Sequence, residues 1–207
     1  MRVAILRYEK LPSFITWDIP DIEELFSDEI MLVNEFQSRG HHASQVIWSD
    51  PAIDWSYYDL ALIRSTWDYI DRREEFLKVL TGIEASTCKL YNPLKAVQWN
   101  SDKLYLFDLQ QWEVPIVPTY EAAGCDLKVL IDSFSKKNWL EAVLKPIVGG
   151  GGADVYRLNT NEIFSKYETL KKSQPHNKYL IQPLVDSVIT EGEWSYVYIN
   201  GDLCYTL

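Results

Sequence analysis

The feature that most constrains the fold is a run of four glycines, Gly149, Gly150, Gly151 and Gly152, between two segments with β-strand character. The first of these segments, residues 141–145, is largely apolar and ends in Lys145. Ordered glycines lose more conformational entropy than other residues, so a folded protein keeps four of them mainly where backbone must approach a ligand closely. Their N–H groups can reach an anion, and Lys145 adds a positive charge beside them. The pattern favours a phosphate-binding loop, although a flexible surface hairpin has the same composition.

The composition is that of a folded protein. The 207 residues are 47% hydrophobic and 24% charged, enough to form a core in one or two domains. The formal net charge of −10 disfavours binding to nucleic acid or to anionic lipid, because both repel an acidic surface. The apolar runs are too short for a signal peptide or a membrane span, so we expect a cytoplasmic protein. Three cysteines, without metal-ligand spacing, predict reduced structural thiols and no metal site: Cys88, Cys125 and Cys204.

The first part of the chain alternates between strand and helix patterns. Strands are predicted at residues 3–7, 43–48, 60–64 and 89–91, and helices at 21–39, 71–84 and after Pro93. In the helix at 21–39 the apolar residues recur at helical spacing, and Gly40 is expected to end it: Ile22, Leu25, Phe26, Ile30, Val33 and Phe36. This alternation predicts an α/β domain with a small parallel sheet over residues 1–97.

The second part of the chain predicts a compact α+β unit over residues 98–183. Helices are expected at residues 102–111, 127–137 and 160–172, and strands at 141–145, 154–158 and 178–182, with an extended link at 114–119. Residues 184–207 end in a predicted hairpin whose Asn200-Gly201 pair is typical of a type I′ turn. In that hairpin, Trp194, Tyr196 and Tyr198 alternate onto one face.

Five segments follow one another in an order that resembles the ATP-grasp superfamily. They are residues 100–103 (NSDK), 114–119 (VPIVPT), 143–146 (VLKP) with the glycines, 180–184 (LIQPL) and 192–195 (GEWS). Residues 46–50, 59–69 and 90–93 are similar to the preceding domain of the glutathione-synthetase-like branch, which includes the cycloserine-biosynthesis ligases. The resemblance implies a Rossmann-like pre-ATP-grasp domain at 1–97, the ATP-grasp lid subdomain at 98–183 and, at 184–207, the first hairpin of a truncated body subdomain.

The resemblance also implies which residues bind the phosphates of ATP. Lys103 matches the first nucleotide-binding lysine of the family and Lys145 the second, with the four glycines as the loop that closes over the phosphates. Two cations on separate elements suit a polyphosphate in an otherwise acidic protein. From the residues alone, Lys103 is also consistent with an exposed lysine near a helix N-terminus. Alternation places Lys145 on the strand face of Val143, where an edge lysine reaching into solvent would look the same.

For the adenosine part of ATP, the resemblance implies the segment Gln182, Pro183 and Leu184, whose backbone pairs with the adenine edge in the family. Proline has no N–H, so a donor there has to come from Leu184 and an acceptor from a carbonyl such as that of Gln182. Glu193, or Glu191 if the loop register differs, matches the carboxylate that accepts hydrogen bonds from the ribose. A plain strand-to-loop connection and two surface glutamates are the alternatives.

A substrate site is expected after the strand at 60–63. Arg64, Ser65 and Thr66 follow this strand, and open α/β sheets bind ligands beyond the carboxyl ends of their strands. An arginine there can pair with a substrate carboxylate, with Trp67 and Tyr69 shaping the pocket. A structural arginine that satisfies nearby carbonyls is the competing interpretation.

The function implied by the resemblance is an ATP-dependent carboxylate–amine or carboxylate–thiol ligase. It would act on a small amino-acid-like carboxylate through an acyl phosphate, with ATP and Mg²⁺, and the family often forms homo-oligomers. The family's metal ligands correspond to positions beyond residue 207, so no metal ligand or catalytic residue is assigned. The alternative is an incomplete ATP-grasp fragment that binds nucleotide or serves as an interaction module. A dinucleotide-binding Rossmann domain is disfavoured, because no GxGxxG follows the first strand.

Overall fold

The computed structural model describes residues 1–11, 27–124 and 126–207. Its contacts divide the chain into two compact units. The first unit comprises Met1–Asp108 and Ile147–Ala153, and the second comprises Leu109–Pro146 and Asp154–Leu207. The glycine loop therefore belongs to the first unit by its contacts, whereas the strands on either side of it belong to the second. The boundaries at 97 and 183 follow the family's subdomains and stay predictions.

A parallel four-stranded sheet forms the centre of the first unit. Its strands are β1 (Arg2–Arg7), β2 (His42–Ile47), β3 (Leu60–Ile63) and β4 (Lys89–Tyr91), in the order β2-β1-β3-β4. Alternation along β1 directs Val3 and Ile5 to one core cluster and Ala4 and Leu6 to another. Sheets covered on both faces have continuous apolar strands of this kind. The structure confirms the predicted α/β class.

Helices cover both faces of this sheet. They are α1 (Ser27–Ser38), α2 (Arg73–Glu84) and α3 (Leu94–Asn100). From α1, Val33 and Phe36 pack against the Val3 and Ile5 side, whereas Phe76 and Leu80 of α2 pack with the opposite cluster. The unit therefore has three layers, with the carboxyl ends of β1 and β3 adjacent at one edge.

Two predicted helices differ from those observed. The first part of the helix predicted at 21–39, with Ile22, Leu25 and Phe26, lies outside the described residues, but its end is confirmed. Gly40 has φ +78°, and the N–H of His41 donates to the carbonyl of Phe36 at 3.0 Å. The helix predicted at 102–111 begins later, as α4 (Tyr105–Gln111). The residues before it form a turn: Leu104 N–H donates to Asp102 Oδ1 at 2.9 Å, and Leu106 N–H donates three residues back, to the carbonyl of Lys103 at 3.2 Å.

The second unit contains an antiparallel four-stranded sheet. Its strands are β5 (Tyr120–Glu121), β6 (Glu141–Pro146), β7 (Tyr156–Asn159) and β8 (Tyr179–Pro183), in the order β5-β8-β6-β7. Helices α5 (Leu127–Lys136) and α6 (Ile163–Ser173) pack their apolar side chains on one face, against Ala142 and Leu144 of β6. The strand predicted at 154–158 begins at Tyr156 because Asp154, with φ +53°, lies in a turn. The other sheet face carries the polar residues considered below.

The end of the chain is a two-stranded hairpin preceded by a short helix. The helix is α7 (Asp186–Thr190), which the sequence patterns missed, and the strands are β9 (Tyr196–Ile199) and β10 (Asp202–Thr206). Asn200 and Gly201 have φ values of +54° and +90°, as the predicted type I′ turn requires. Across the described parts of the chain, none of the helices is both long and apolar enough to cross a membrane.

Candidate functional site

In the second unit, Lys145 lies on the sheet face opposite α5 and α6. Ala142 and Leu144 are fully buried in the helix-covered core, so alternation along β6 places Val143 and Lys145 on the other face, as predicted. In the antiparallel register Val143 is opposite Gln182, and residues directly opposite share a face. Lys145 and Gln182 are therefore brought to the same surface of the sheet.

The ammonium of Lys145 lies in a partly desolvated position. Burial lowers the pKa of Lys145 below its ordinary value of 10.5, and the carboxylate of Glu193 opposes that shift. Glu193 is thus close enough to act on the lysine electrostatically, while being itself exposed. Glu191 caps the end of α7, where its N–H donates to the carbonyl of Ser187 at 2.8 Å. The electrostatics single out Glu193 of the two candidate glutamates.

The side chain of Gln182 is held in place by a threonine that the sequence analysis did not assign to the site. Gln182 Nε2 donates to Thr119 Oγ1 at 2.7 Å, and both residues are buried. Thr119 Oγ1 in turn donates to the carbonyl of Val117 at 2.7 Å. The position of Thr119, at the end of the extended proline-containing link, is the sequence feature that could have indicated this role. This chain of hydrogen bonds fixes the rotamer of Gln182.

The backbone of the 182–184 segment takes part in the pairing of β8 with β6 in this structure. The N–H of Leu184 donates to the carbonyl of Glu141 at 3.1 Å, which continues the β6–β8 ladder by one pair. Because hydrogen-bonded pairs alternate, Val143 and Gln182 form the next such pair, and the carbonyl of Gln182 also faces β6. In this structure Leu184 N–H is thus engaged within the sheet, and the pairing of this segment with adenine stays a prediction. The same alternation turns the carbonyl of Pro183 away from β6.

In the first unit, the structure brings Lys103 and the glycine loop together. Lys103 Nζ donates to the carbonyl of Gly149 at 3.0 Å and to that of Ile147 at 3.4 Å. Gly151 and Gly152 have φ values of +59° and +75°, a region that favours glycine. The loop thus has a defined conformation that depends on glycine and is anchored by a lysine.

The predicted substrate segment lies at the edge where the sheet topology changes direction. β2 and β3 lie on opposite sides of β1, so the carboxyl ends of β1 and β3 form the switch point of the sheet. Arg64 follows β3 there and contacts two carboxylates of α1: its Nη2 is 3.0 Å from Asp28 Oδ2, and its Nε is 3.9 Å from Glu29 Oε1. The buried hydroxyl of Ser65 donates to Glu29 Oε1 at 2.6 Å. Asp28 and Glu29 were not predicted, because sequence alone does not place α1 beside this edge.

A cavity of about 270 Å³ opens beside Arg64. Arg64, Thr66 and Trp67 line it, whereas the Ser65 hydroxyl points to Glu29. The other wall residues come from β3, α2, α3 and the segments that adjoin them: Ile63, Tyr69, Phe76, Asn92, Ala96, Val97, Asn100 and Ser101. The volume and the mixed wall suit a molecule of the size of an amino acid.

The described residues offer no metal centre. Nowhere in residues 1–11, 27–124 and 126–207 do three or more His, Cys, Asp or Glu side chains come together in a way that suits a metal ion. Within these ranges the Mg²⁺ ion that the ATP-grasp resemblance implies has no set of three such ligands, and its site is not assigned. Of the cysteines, Cys88 is buried and Cys204 exposed, each with a free thiol, and Cys125 lies outside the described residues.

Comparisons with known proteins agree with one another. Residues 3–92 match the family model described as D-cycloserine synthetase DcsG, N-terminal domain. The cycloserine biosynthesis protein DcsG of Streptomyces lavendulae is 30% identical over 174 residues, which cover 82% of this chain and 58% of that protein. The chain thus spans less than two thirds of this relative's length.

Solved structures extend the comparison to the fold. The crystal structure of D-cycloserine synthetase DcsG superposes with a TM-score of 0.81 at 25% identity, over 100% of this chain and 67% of that chain. D-alanine–D-alanine ligase from Bacillus anthracis superposes with a TM-score of 0.56 at 16% identity, over 89% of this chain and 58% of that chain. The latter similarity concerns the fold alone.

Proposed function

We propose that this protein is an ATP-dependent ligase. The proposal starts from the match of residues 3–92 to the DcsG N-terminal domain family and from the ATP-grasp ligase fold of the chain. The ligase joins a small amino-acid-like carboxylate to an amine or a thiol through an acyl phosphate. The observation that carries the proposal is the half-buried ammonium of Lys145 on the sheet face opposite α5 and α6 in the second unit.

The environment of Lys145 supports a role in anion binding. Burial disfavours the charged amine, so this position costs folding free energy that an apolar residue of similar length would not cost. A phosphate oxygen would accept the hydrogen bonds that an exposed lysine donates to water. Because water has less access to this position, the attraction between the ammonium and the phosphate is stronger than at the surface. Gln182 on the same face adds a fixed amide group.

In the proposed ATP site, Lys145 binds phosphate oxygens, and the backbone of Gln182, Pro183 and Leu184 meets the adenine edge. Glu193, or Glu191 in its place, accepts from the ribose hydroxyls. In the first unit, the four glycines are proposed to bind phosphate through their backbone, and Lys103 is proposed to serve the same loop. Mg²⁺, when bound, neutralises phosphate charge. The described residues do not provide its ligands, so no step is assigned to it.

The proposed substrate site is the cavity beside Arg64. There Arg64 is proposed to pair with the substrate carboxylate, which requires its guanidinium to leave Asp28 and Glu29, and Thr66 and Trp67 form part of the wall. In the reaction a carboxylate oxygen attacks the γ-phosphorus of ATP and ADP leaves, which gives the acyl phosphate. The amine or thiol then attacks the acyl carbon, and inorganic phosphate leaves. Cationic side chains stabilise the charge that develops on the transferring phosphoryl group.

Binding of ATP tests the role of Lys145 directly. We expect Lys145→Met to weaken ATP binding, measured by calorimetry, by about tenfold or more, which corresponds to about 1.4 kcal/mol. Lys178→Met is the matched control, because Lys178 is an exposed lysine just before β8. Equal ATP affinity in the wild type and in Lys145→Met would show that this lysine does not bind the nucleotide.

Ligation is tested by trapping the acyl phosphate. The chain is incubated with ATP, Mg²⁺, single amino acids and hydroxylamine, and the hydroxamate is measured together with ADP. Arg64→Met should raise the KM for the carboxylate more than it lowers kcat, because Arg64 is proposed to bind the ground state. ATP binding without any hydroxamate would leave nucleotide binding in place and overturn the ligase proposal for this chain.

A further inference from the structure

We propose that Lys103 is a positioning residue that orients the peptide groups of the glycine loop. Three hydrogen bonds join it to the loop: its N–H donates to the carbonyl of Ile147 at 2.9 Å, and its Nζ donates to the carbonyls of Ile147 at 3.4 Å and Gly149 at 3.0 Å. The inference rests on the proposed function only in taking the loop as a phosphate-binding element. Lys103 then acts on the phosphates mainly through the loop.

The geometry of the peptide bond determines how this anchoring orients the N–H groups of the loop. In a trans peptide the N–H of one residue points opposite to the carbonyl of the residue before it. The peptide bonds from Ile147 to Val148 and from Gly149 to Gly150 are trans. Because Lys103 draws the carbonyls of Ile147 and Gly149 to itself, the N–H groups of Val148 and Gly150 point away from the ammonium. Two donors separated by one residue then face the same direction, the arrangement that binds an anion.

The remainder of the loop explains why it needs an external anchor. Ala153 N–H donates to the carbonyl of Gly150 at 3.1 Å, which closes a turn over Gly151 and Gly152. Before that turn, Gly149 and Gly150 have no side chains that could hold their peptide planes. At Gly150 a Cβ atom would come within 3.0 Å of Ile70 Cδ1, so an alanine there would have to displace this side chain. Lys103 supplies the hydrogen bonds that the glycines cannot supply themselves.

A lysine suits this position because its ammonium has three N–H donors on a long stem. Two of these donors point to loop carbonyls in the structure. Charge-assisted hydrogen bonds of this kind are stronger than those between neutral groups. The ammonium also adds its positive charge to the same region. We expect most of its effect on ATP binding to come from orienting the loop, and less from direct attraction of phosphate.

Amide hydrogen exchange without nucleotide is the first test. We expect Lys103→Met, which keeps the length of the side chain but removes its donors, to accelerate exchange of the Ala153 N–H, which donates to the carbonyl of Gly150, by about tenfold or more. Lys103→Arg should keep the exchange within a few-fold of the wild type, because its guanidinium still donates to carbonyls. Lys95→Met is the matched control, since Lys95 is an exposed lysine on α3. Unchanged loop exchange in Lys103→Met would overturn the proposal, and this outcome does not depend on whether the chain binds ATP.

A double-mutant cycle separates the two ways in which Lys103 can affect ATP. Gly152→Ala perturbs the loop through its backbone, since Gly152 has φ +75° and an added Cβ would touch nothing within 4 Å. If Lys103 acts through the loop, Lys103→Met should weaken ATP binding much less in the Gly152→Ala background than in the wild type. Losses of affinity that multiply in the double variant would show that Lys103 contacts phosphate independently of the loop, which would refute the proposed role.

Discussion

The hydrogen bond between Gln182 and Thr119 offers a quantitative test of how the candidate ATP site is built. Thr119→Val keeps the shape of the side chain and removes Oγ1, which accepts from Gln182 Nε2 and donates to the carbonyl of Val117, both at 2.7 Å. Each lost hydrogen bond costs about 1 kcal/mol, and leaving the buried amide of Gln182 without its acceptor adds about 1–2 kcal/mol. We therefore expect the free energy of unfolding to fall by about 3–4 kcal/mol.

The assay is urea unfolding followed by far-UV circular dichroism. The midpoint should fall while the slope stays constant, because the surface exposed on unfolding does not change. In a chain of this length, each kcal/mol corresponds to about 2–4 °C in the melting temperature, so the thermal shift should be easily detected. The affinity for ATP should fall as well, since Gln182 shares the sheet face of Lys145.

A cycle with Gln182→Met identifies the pair as the cause. With both partners apolar, no polar atom of the pair is left unsatisfied, so the double variant should be more stable than the sum of the single effects predicts, by about 1 kcal/mol or more. Effects of the two substitutions that add to within about 0.3–0.5 kcal/mol would show that the two side chains do not interact in solution. That result would refute the reasoning about the fixed rotamer of Gln182.

Three further predictions concern the first unit. Ser65→Ala removes the donor to the buried carboxylate of Glu29 and should lower the free energy of unfolding by about 1.5–3 kcal/mol in urea titrations; no loss would contradict the observed contact. Burial raises the pKa of Asp68 above 3.8 despite the hydrogen bond from Trp48, so its contribution to stability is complete below that pH and is lost as the pH rises through the raised value. Asp68→Asn should therefore gain stability relative to the wild type as the pH rises from about 3.5 to 7, and a pH-independent difference would argue against this titration. Gly40→Ala should cost about 1 kcal/mol through its backbone alone, because nothing within 4 Å would touch its Cβ; calorimetry with Gly40→Asn as the tolerant comparison checks this.

Local patterns predicted the elements well where the physical cause is local. The alternation of β6, the left-handed glycine after α1 and the Asn200-Gly201 turn all follow from the conformations that neighbouring residues allow. The helix predicted at 102–111 begins later, at Tyr105, and Lys103 in the turn before it binds the glycine loop, more than forty positions away. A pattern within one segment carries no information about such a partner.

The candidate site shows the same difference between features with a local cause and features that depend on distant residues. The sequence placed Lys145 and Gln182 in adjacent segments of a recognisable order, and the structure brought them to one face of the sheet. It did not predict that Leu184 N–H belongs to the ladder, because hydrogen-bonding sides depend on which strands pair and in which register. Nor did it predict that Asp28 and Glu29 face Arg64, since this requires α1 to pack beside β3.

By itself, then, the sequence determined the α/β first unit, the strand–glycine–strand segment and the lysines beside it, because periodicity and glycine chemistry act over a few residues. Tertiary structure decided what each polar group binds. The glycine loop accepts hydrogen bonds from Lys103, the threonine before β5 fixes Gln182, and two acidic residues of α1 meet the arginine after β3. Such partners are set by the pairing of strands and the packing of helices, which bring together residues that are distant along the chain.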